Sequence, residues 1–330
     1  MKGMILAGGL STRLYPLTLE LPKPLVPVLD RPVLGHIIEY LKRFGVDDIA
    51  LNVHYFPEAV TEYAGDGSRF GVRISYLHEP KLMGSAGAVR ALADRFDETF
   101  VVIGCDDVTD IDLERAINFH RAHEAEATIV LVEVPDVSQY GAVIVDGDGR
   151  IQEFQEKPAP GTEKSKLANT GVYVFEPHLL ERIPAQTFYD FGKQVFPELL
   201  QAGAAFYGVR DDAYWCDIGT PSEYRRAHRD ALSRRIKLEL PQGAQMAEGV
   251  FIGAGAKVAP KADIVAWSCI GSGCVVEDEA RIESSILWKN VKVGAGARVD
   301  GAVLGDDVVV EPGAIASSGE YGKGARIARV

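Results

Sequence analysis

The chain has 330 residues and a formal net charge of −12, with 47% hydrophobic and 25% charged residues, the balance of a globular enzyme of about two domains. So acidic a chain is not expected to offer a broad nucleic-acid surface, and an anionic substrate must meet a local basic pocket or a metal. Its opening residues are apolar for too short a distance to form a secretory leader, and no apolar run reaches the ~18 residues of a membrane span, so a cytoplasmic protein with no membrane partner is expected.

From residue 1 to about 235, apolar strand-like runs alternate with amphipathic helical patterns. Strands are expected at 4–6, 48–53, 72–77, 100–104 and 128–134, and helices at 33–44, 58–63, 86–95 and 113–124. This rhythm predicts an α/β, Rossmann-like, mostly parallel sheet with helices on both faces, which binds ligands where its strands run out into loops. The first strand ends at Leu6-Ala7-Gly8-Gly9, where a sharp turn brings bare backbone N–H groups to an anion. Ser11, Thr12 and Arg13 follow, and Lys23 sits between Pro22 and Pro24, so the segment reads as a phosphate cradle with fixed positive charge. It matches neither the Walker pattern nor the dinucleotide fingerprint.

The strand at 100–104 runs into Cys105-Asp106-Asp107, an acidic strand end of the kind that holds a divalent ion, and spacing alone leaves either aspartate as the ligand. The seven histidines are scattered, and His120 and His123 read as an exposed helix surface. Cys105, Cys216, Cys269 and Cys274 lack zinc spacing and are expected as free thiols, the first two as small core residues.

After a basic helix at 222–237 and a break at Pro241-Gln-Gly243, aliphatic residues recur every six positions: Ile252, Val258, Ile264, Ile270, Val276 and Ile282. Following a one-residue slip the count resumes at Leu287, Val293 and Val299, then again at Leu304 and Val310, with mostly small residues four places after each. This is the hexapeptide repeat of a parallel β-helix, with aliphatics inward and Gly253, Gly271, Gly294 and Gly305 at corners. Trp267 and Trp288 fall off the inward row and are expected to pack the coil surface against the first domain or a neighbouring subunit.

The run Ala-Gly-Gly-x-x-Thr-Arg-Leu-x-Pro-Leu-Thr-x-x-x-Pro-Lys-Pro from Ala7 to Pro24 resembles the opening of the sugar-1-phosphate nucleotidyltransferases. Glu156-Lys157-Pro158, Asn169-Thr-Gly171 and Trp215-Cys-Asp217-Ile-Gly-Thr-Pro221 resemble later motifs of that family, in order. The resemblance implies a nucleotidyltransferase domain at 1–235, a linker at 236–249 and a left-handed β-helix at 250–330. It implies Mg2+ held by Asp106 and Asp217, with Asp107 a solvated turn residue, and catalysis carried by Arg13, Lys23 and these two carboxylates. Nucleotide contacts are implied for residues 6–9 and 11–13 and for Glu79, Gly84 and Ser85, and sugar-phosphate contacts for Gly141, Glu156, Lys157, Asn169 and Lys193.

The implied partners are a nucleoside triphosphate and a sugar-1-phosphate, with a homo-oligomer built through the β-helix. Glu79 as an acceptor for the paired N–H donors of guanine, and resemblance to the mannose-1-phosphate guanylyltransferase branch, favour GTP with mannose-1-phosphate. The alternatives are a glucose-1-phosphate thymidylyl- or uridylyltransferase and a catalytically silent regulatory subunit. An acyltransferase on the coil is disfavoured because no histidine follows His228.

Overall fold

The computed structural model describes residues 1–329, organised as two compact units. One comprises Met1–Gly9 and Ile37–Trp215, the other Leu10–His36 and the chain from Cys216 onward.

The first unit is built on a nine-stranded sheet. β1 (Lys2–Leu6), β2 (Asp48–Val53), β3 (Arg73–His78) and β4 (Phe100–Gly104) are parallel, in the order β4-β1-β2-β3, and α1 (Val33–Arg43), α2 (Pro57–Ala64) and α3 (Gly84–Arg90) lie between successive strands in the chain. Phe100, Val101, Val102 and Ile103 are all fully buried, as a parallel strand covered on both faces requires. These strands fall within a residue or two of their expected positions. The expected helix at 86–95 instead ends at Arg90, followed by a separate tight turn at Ala93–Arg95.

After the short strand β5 (Asp107–Thr109) and helix α4 (Leu113–Ala122) come β6 (Ala127–Glu133), β7 (Gly141–Val145), β8 (Ile151–Glu156) and β9 (Leu167–Phe175). β9 joins β4 antiparallel, continues to β7 and β8, and also pairs with β6, on which β10 (Phe206–Asp211) lies parallel. Phe100, Phe175, Phe191 and Phe196 form the aromatic centre of this core.

His120 corrects an expectation: it is 1% exposed, hydrogen-bonded to Thr128 and Glu176. Leu113, Ala116, Ile117 and His120 share the buried stripe of α4, so helical spacing turns this ring inward. Burial pushes its pKa down and the Glu176 carboxylate pulls it up, with burial dominating. His123 is partly buried and stacks on Phe119 with ring centroids 4.0 Å apart.

In the second unit, α6 (Pro221–Leu232) is followed by coils of parallel strands; α5 (Phe196–Gln201) belongs to the first unit. α6 opens with Thr220 as a side-chain cap on the Glu223 N–H and Pro221 in the first turn, and ends before the expected 237 where Ser233 bonds back to the Arg229 carbonyl. The repeat stacks in columns: Ile252, Ile270, Leu287, Leu304 and Tyr321 are paired in register, as are Val258, Val276, Val293, Val310 and Ile327. From Ile252 to Ile270 is eighteen residues, whereas Ile270 to Leu287, Leu287 to Leu304 and Leu304 to Tyr321 are seventeen each, so each slip in the repeat is a coil shortened by a residue.

Gly253, Gly271 and Gly294 are required by close approach between coils. An added Cβ would stand 2.5 Å from Ser272 N, Trp288 O and Pro312 N, respectively. Val258 departs from the inward pattern at 37% exposure because it lies in the first coil, with stacked neighbours on one side only.

Trp288 is 4% exposed and its indole donates to the Tyr224 hydroxyl at 2.8 Å, which itself donates to the Pro27 carbonyl at 2.6 Å. Arg225 reaches the Gly301 and Gly319 carbonyls at 3.2 Å, and Asp30 accepts from the Ser272 N–H at 3.0 Å. His228 accepts from the Leu29 N–H and donates to the Tyr224 carbonyl, and burial drives its pKa to about 4, keeping it neutral. These contacts fasten residues 27–30 and α6 to the coils. Trp267 is 40% exposed, with a left-handed backbone. All four cysteines are buried and free, and among the described residues no helix is long and apolar enough to cross a membrane.

Candidate active site

The glycine turn after β1 is fixed from beneath. The Ala7 N–H donates to Asn52 Oδ1 at 2.8 Å, and a Cβ on Gly8 would stand 2.7 Å from Asn52 Nδ2 and 2.9 Å from Glu79 Oε2. Gly9 is exposed with open space where a Cβ would be, so packing requires Gly8 but not Gly9. Leu6 is partly buried at the end of β1, where it pairs with Asn52 and Gly104 in the neighbouring strands.

Glu79 differs from its expected orientation toward a base. It is 3% exposed, and its two oxygens accept from Asn52 Nδ2 at 2.5 Å and from the Met83 N–H at 2.9 Å. Direct reading of a base edge by this carboxylate loses its geometric basis. Gly84 has a left-handed φ of +76° and lies against the Tyr189 backbone, where no side chain fits. Ser85 donates to Asp190 Oδ2 at 3.0 Å and accepts from the Phe191 N–H at 3.0 Å.

In the second unit, residues nominated from opposite ends of the sequence meet. Lys23 Nζ lies 3.3 Å from Asp217 Oδ1 although Lys23 is only 7% exposed, and the Arg13 guanidinium lies 3.9 Å from Asp217 Oδ2. A Cβ on Gly219 would intrude 2.6 Å from Arg13 and 2.8 Å from Asp217, so Gly219 allows the group to close. Ser11 has a left-handed φ of 57°, its carbonyl accepts from Thr18 Oγ1 at 2.7 Å, and it leads into the turn Thr12–Leu14 that carries the exposed Arg13 and Thr12.

At the end of β4, the bare Gly104 makes room for two carboxylates: its Cβ would stand 2.8 Å from Asp106 Oδ1 and 2.9 Å from Asp107 Oδ2. Asp107 is not a solvated turn residue. It opens β5, is 4% exposed and accepts from the Trp215 indole at 2.9 Å, while Asp106 is only partly buried. Among the described residues no three His, Cys, Asp or Glu side chains gather into a metal cage. A hard cation held by one or two carboxylates completes its shell with substrate oxygens and water, which is the donor set Mg2+ takes.

A second cluster lies within the first unit. Glu156 ends β8, and its pKa is raised first by burial and then by nearby Asp190, against the opposing pull of Lys157 and Lys193. Asp190 caps the turn that carries Lys193, accepting from the Gly192 and Lys193 N–H groups. Gly192 passes so close to Glu156 that a Cβ would stand 2.5 Å from its carboxylate. Gly141 is needed because Phe154 fills the space of a side chain, and Lys157 holds a left-handed φ of 45°. Asn169 accepts from the Gly171 N–H at 3.0 Å and donates to the Tyr173 hydroxyl at 3.1 Å.

Thus Arg13, Lys23 and Asp217 come together in one unit, and Glu156, Lys157 and Lys193 in the other. Sequence reasoning missed Asn52 and the Trp215 indole. Asn52 had one available signal, a lone amide within the apolar run at 49–53.

Comparison with known proteins gives two family matches, Nucleotidyl transferase over residues 2–234 and GMPPB C-terminal domain over residues 246–321. A UTP–glucose-1-phosphate uridylyltransferase from Synechocystis sp. is 37% identical, over 95% of this chain and 90% of its own. The mannose-1-phosphate guanylyltransferase of Mycobacterium tuberculosis is 32% identical, over 90% of this chain and 82% of its own. HddC from Yersinia pseudotuberculosis, solved in complex with GMP-PN, is similar at TM-score 0.60 and 27% identity, over 69% of this chain and 97% of that one.

Proposed function

We propose, from the premise that this chain belongs to the nucleotidyl transferase family, that it joins GTP to mannose-1-phosphate, giving GDP-mannose and pyrophosphate. The observation that carries the reading is the meeting of Lys23 and Arg13 on Asp217. Two cations beside a carboxylate are poised to exchange partners, the cations turning to the triphosphate and the carboxylate to its counter-ion.

The attacking sugar phosphate has its second pKa at about 6 and needs no protein base, so the task is to hold two anions in line and offset their repulsion. Arg13 forks onto phosphate oxygens and Lys23 supplies a point charge at a nearly buried position. Asp106 in the first unit and Asp217 in the second would each offer a carboxylate ligand to Mg2+, which when bound neutralises phosphate charge. Lys157 and Lys193 take the sugar phosphate, and Glu156 and Asn169 face the sugar hydroxyls. In this reading residues 1–235 carry the chemistry and the coils support assembly.

The guanylyl reading is supported by the GMPPB C-terminal domain match and by the M. tuberculosis relative. A second reading, UTP with glucose-1-phosphate, is favoured by the Synechocystis relative and by the inward engagement of Glu79. Pyrophosphate release with magnesium, crossing five nucleoside triphosphates against mannose-, glucose-, galactose- and N-acetylglucosamine-1-phosphate, separates them. A maximum at GTP with mannose-1-phosphate is expected; a maximum at UTP with glucose-1-phosphate selects the second reading, and silence across the grid removes both.

Lys157→Ala should raise the KM for the sugar phosphate about 10-fold, with the triphosphate KM within about threefold. An equal rise in both would take Lys157 off the sugar side.

A further inference from the structure

Three parallel strands end side by side, and a buried polar chain crosses their ends. Ala7, just past β1, donates its N–H to Asn52 Oδ1 at 2.8 Å on β2; Asn52 Nδ2 donates to Glu79 Oε2 at 2.5 Å, just past β3; and Glu79 Oε1 accepts from the Met83 N–H at 2.9 Å. The direction of the chain is fixed chemically. A backbone N–H can only donate, so the Asn52 oxygen faces Ala7 and its amide nitrogen faces the carboxylate. Asn52 is 5% exposed and Glu79 3%, so water does not readily replace these partners. His54 Nδ1 holds the Glu79 carbonyl at 2.6 Å, and Gly8 passes over the Asn52 and Glu79 side chains with no room for a Cβ.

Under the proposed function, the two ends of this chain serve different parts of one ligand. Residues 7–9 form the turn that meets phosphates, and residues 79–85 lead into α3 on the base side. We propose that Asn52 and Glu79 are positioning residues that lock these two loops to one another, so that the phosphate and base contacts of the triphosphate are presented at one fixed separation. The inference rests on the nucleotidyltransferase reading for what the loops bind, but the lock is a property of the fold.

The donor and acceptor pattern gives a reversal test. Glu79→Gln places an amide N–H against either Asn52 Nδ2 or the Met83 N–H, and one bond is lost. Asn52→Asp sets one carboxylate against another. Made together, the two changes restore every bond with the polarity of the middle link reversed: the new carboxylate accepts from Ala7 and from the new amide, whose oxygen accepts from Met83. Total charge is that of the parent.

Each single variant should raise the triphosphate KM at least about 10-fold, with the sugar-phosphate KM within about threefold. The double variant should return the triphosphate KM to within about threefold of the parent. A double variant as impaired as the product of the singles overturns the lock, as does a sugar-phosphate KM that rises in step. If a single variant does not fold, the double variant still decides, since recovery of soluble protein with near-parental KM requires the reversed link. Amide hydrogen exchange at Ala7 and Met83 reads the lock without turnover: protection should be lost in a single variant and regained in the double. A parent enzyme inactive on every substrate pair would sink the functional reading while the exchange data still judged the lock.

Discussion

Replacing Asp217 by asparagine should lower kcat at least about 100-fold without unfolding the protein. The side chain is only partly buried, asparagine keeps its shape, and its neighbours are long flexible cations that can relax. What disappears is the negative charge that Lys23 and Arg13 now share and that would hold a divalent ion. Because the two cations are then freed for phosphate, the triphosphate KM should not rise, and the loss should fall in kcat. Asp106→Asn should behave alike, with activity recovered only in part at high magnesium. Asp107→Asn supplies the control. Asp107 is buried and committed to the Trp215 indole, so its amide variant should cost some stability and little kcat. Near-normal magnesium-dependent turnover in Asp217→Asn or Asp106→Asn would take that residue out of the metal site, and a collapse of kcat confined to Asp107→Asn would move the first ligand by one position.

How much of this was readable beforehand depends on the range of the interaction. The β4 strand was legible to the residue because Phe100 to Ile103 is continuously apolar, and the coil because one aliphatic every six positions is a local pattern. Lys23 was legible as a type, since fixed charge between prolines is local chemistry, and Asp217 through the resemblance of the motif at 215–221. That they touch is not local, for 194 residues separate them. The same limit explains Glu79. The resemblance of the stretch that begins at Glu79 implies a base-facing carboxylate until Asn52, on the neighbouring strand, is seen to claim it. Asp107 and His120 show the limit again. Each polar side chain was assigned to solvent because its partner, the Trp215 indole or the Thr128 and Glu176 pair, lies on another element.

Trp288→Ala should be among the most costly single substitutions for folding in the second unit, by about 3–5 kcal/mol, since a nearly buried indole would leave a cavity between the coil and α6. Part of that cost is polar. The indole N–H satisfies the Tyr224 hydroxyl, which is itself bound to the Pro27 carbonyl in a fully buried side chain. Trp288→Phe keeps most of the volume and loses one bond, so it should cost about 1 kcal/mol; Tyr224→Phe leaves both the indole and the Pro27 carbonyl without that hydroxyl and should cost about 2 kcal/mol. Denaturant unfolding followed at the second unit should give the order Trp288→Ala, Tyr224→Phe, Trp288→Phe, and a Trp288→Ala cost under about 1 kcal/mol would mean that other contacts hold α6 to the coil. The effect should reach the chemistry. α6 begins four residues after Asp217, and the Pro27 carbonyl lies four residues after Lys23, so the pin that Trp288 completes holds the backbone on both sides of the Lys23–Asp217 pair. Trp288→Ala should therefore lower kcat even at temperatures where it is fully folded, whereas a purely supportive coil would leave kcat of the folded fraction unchanged.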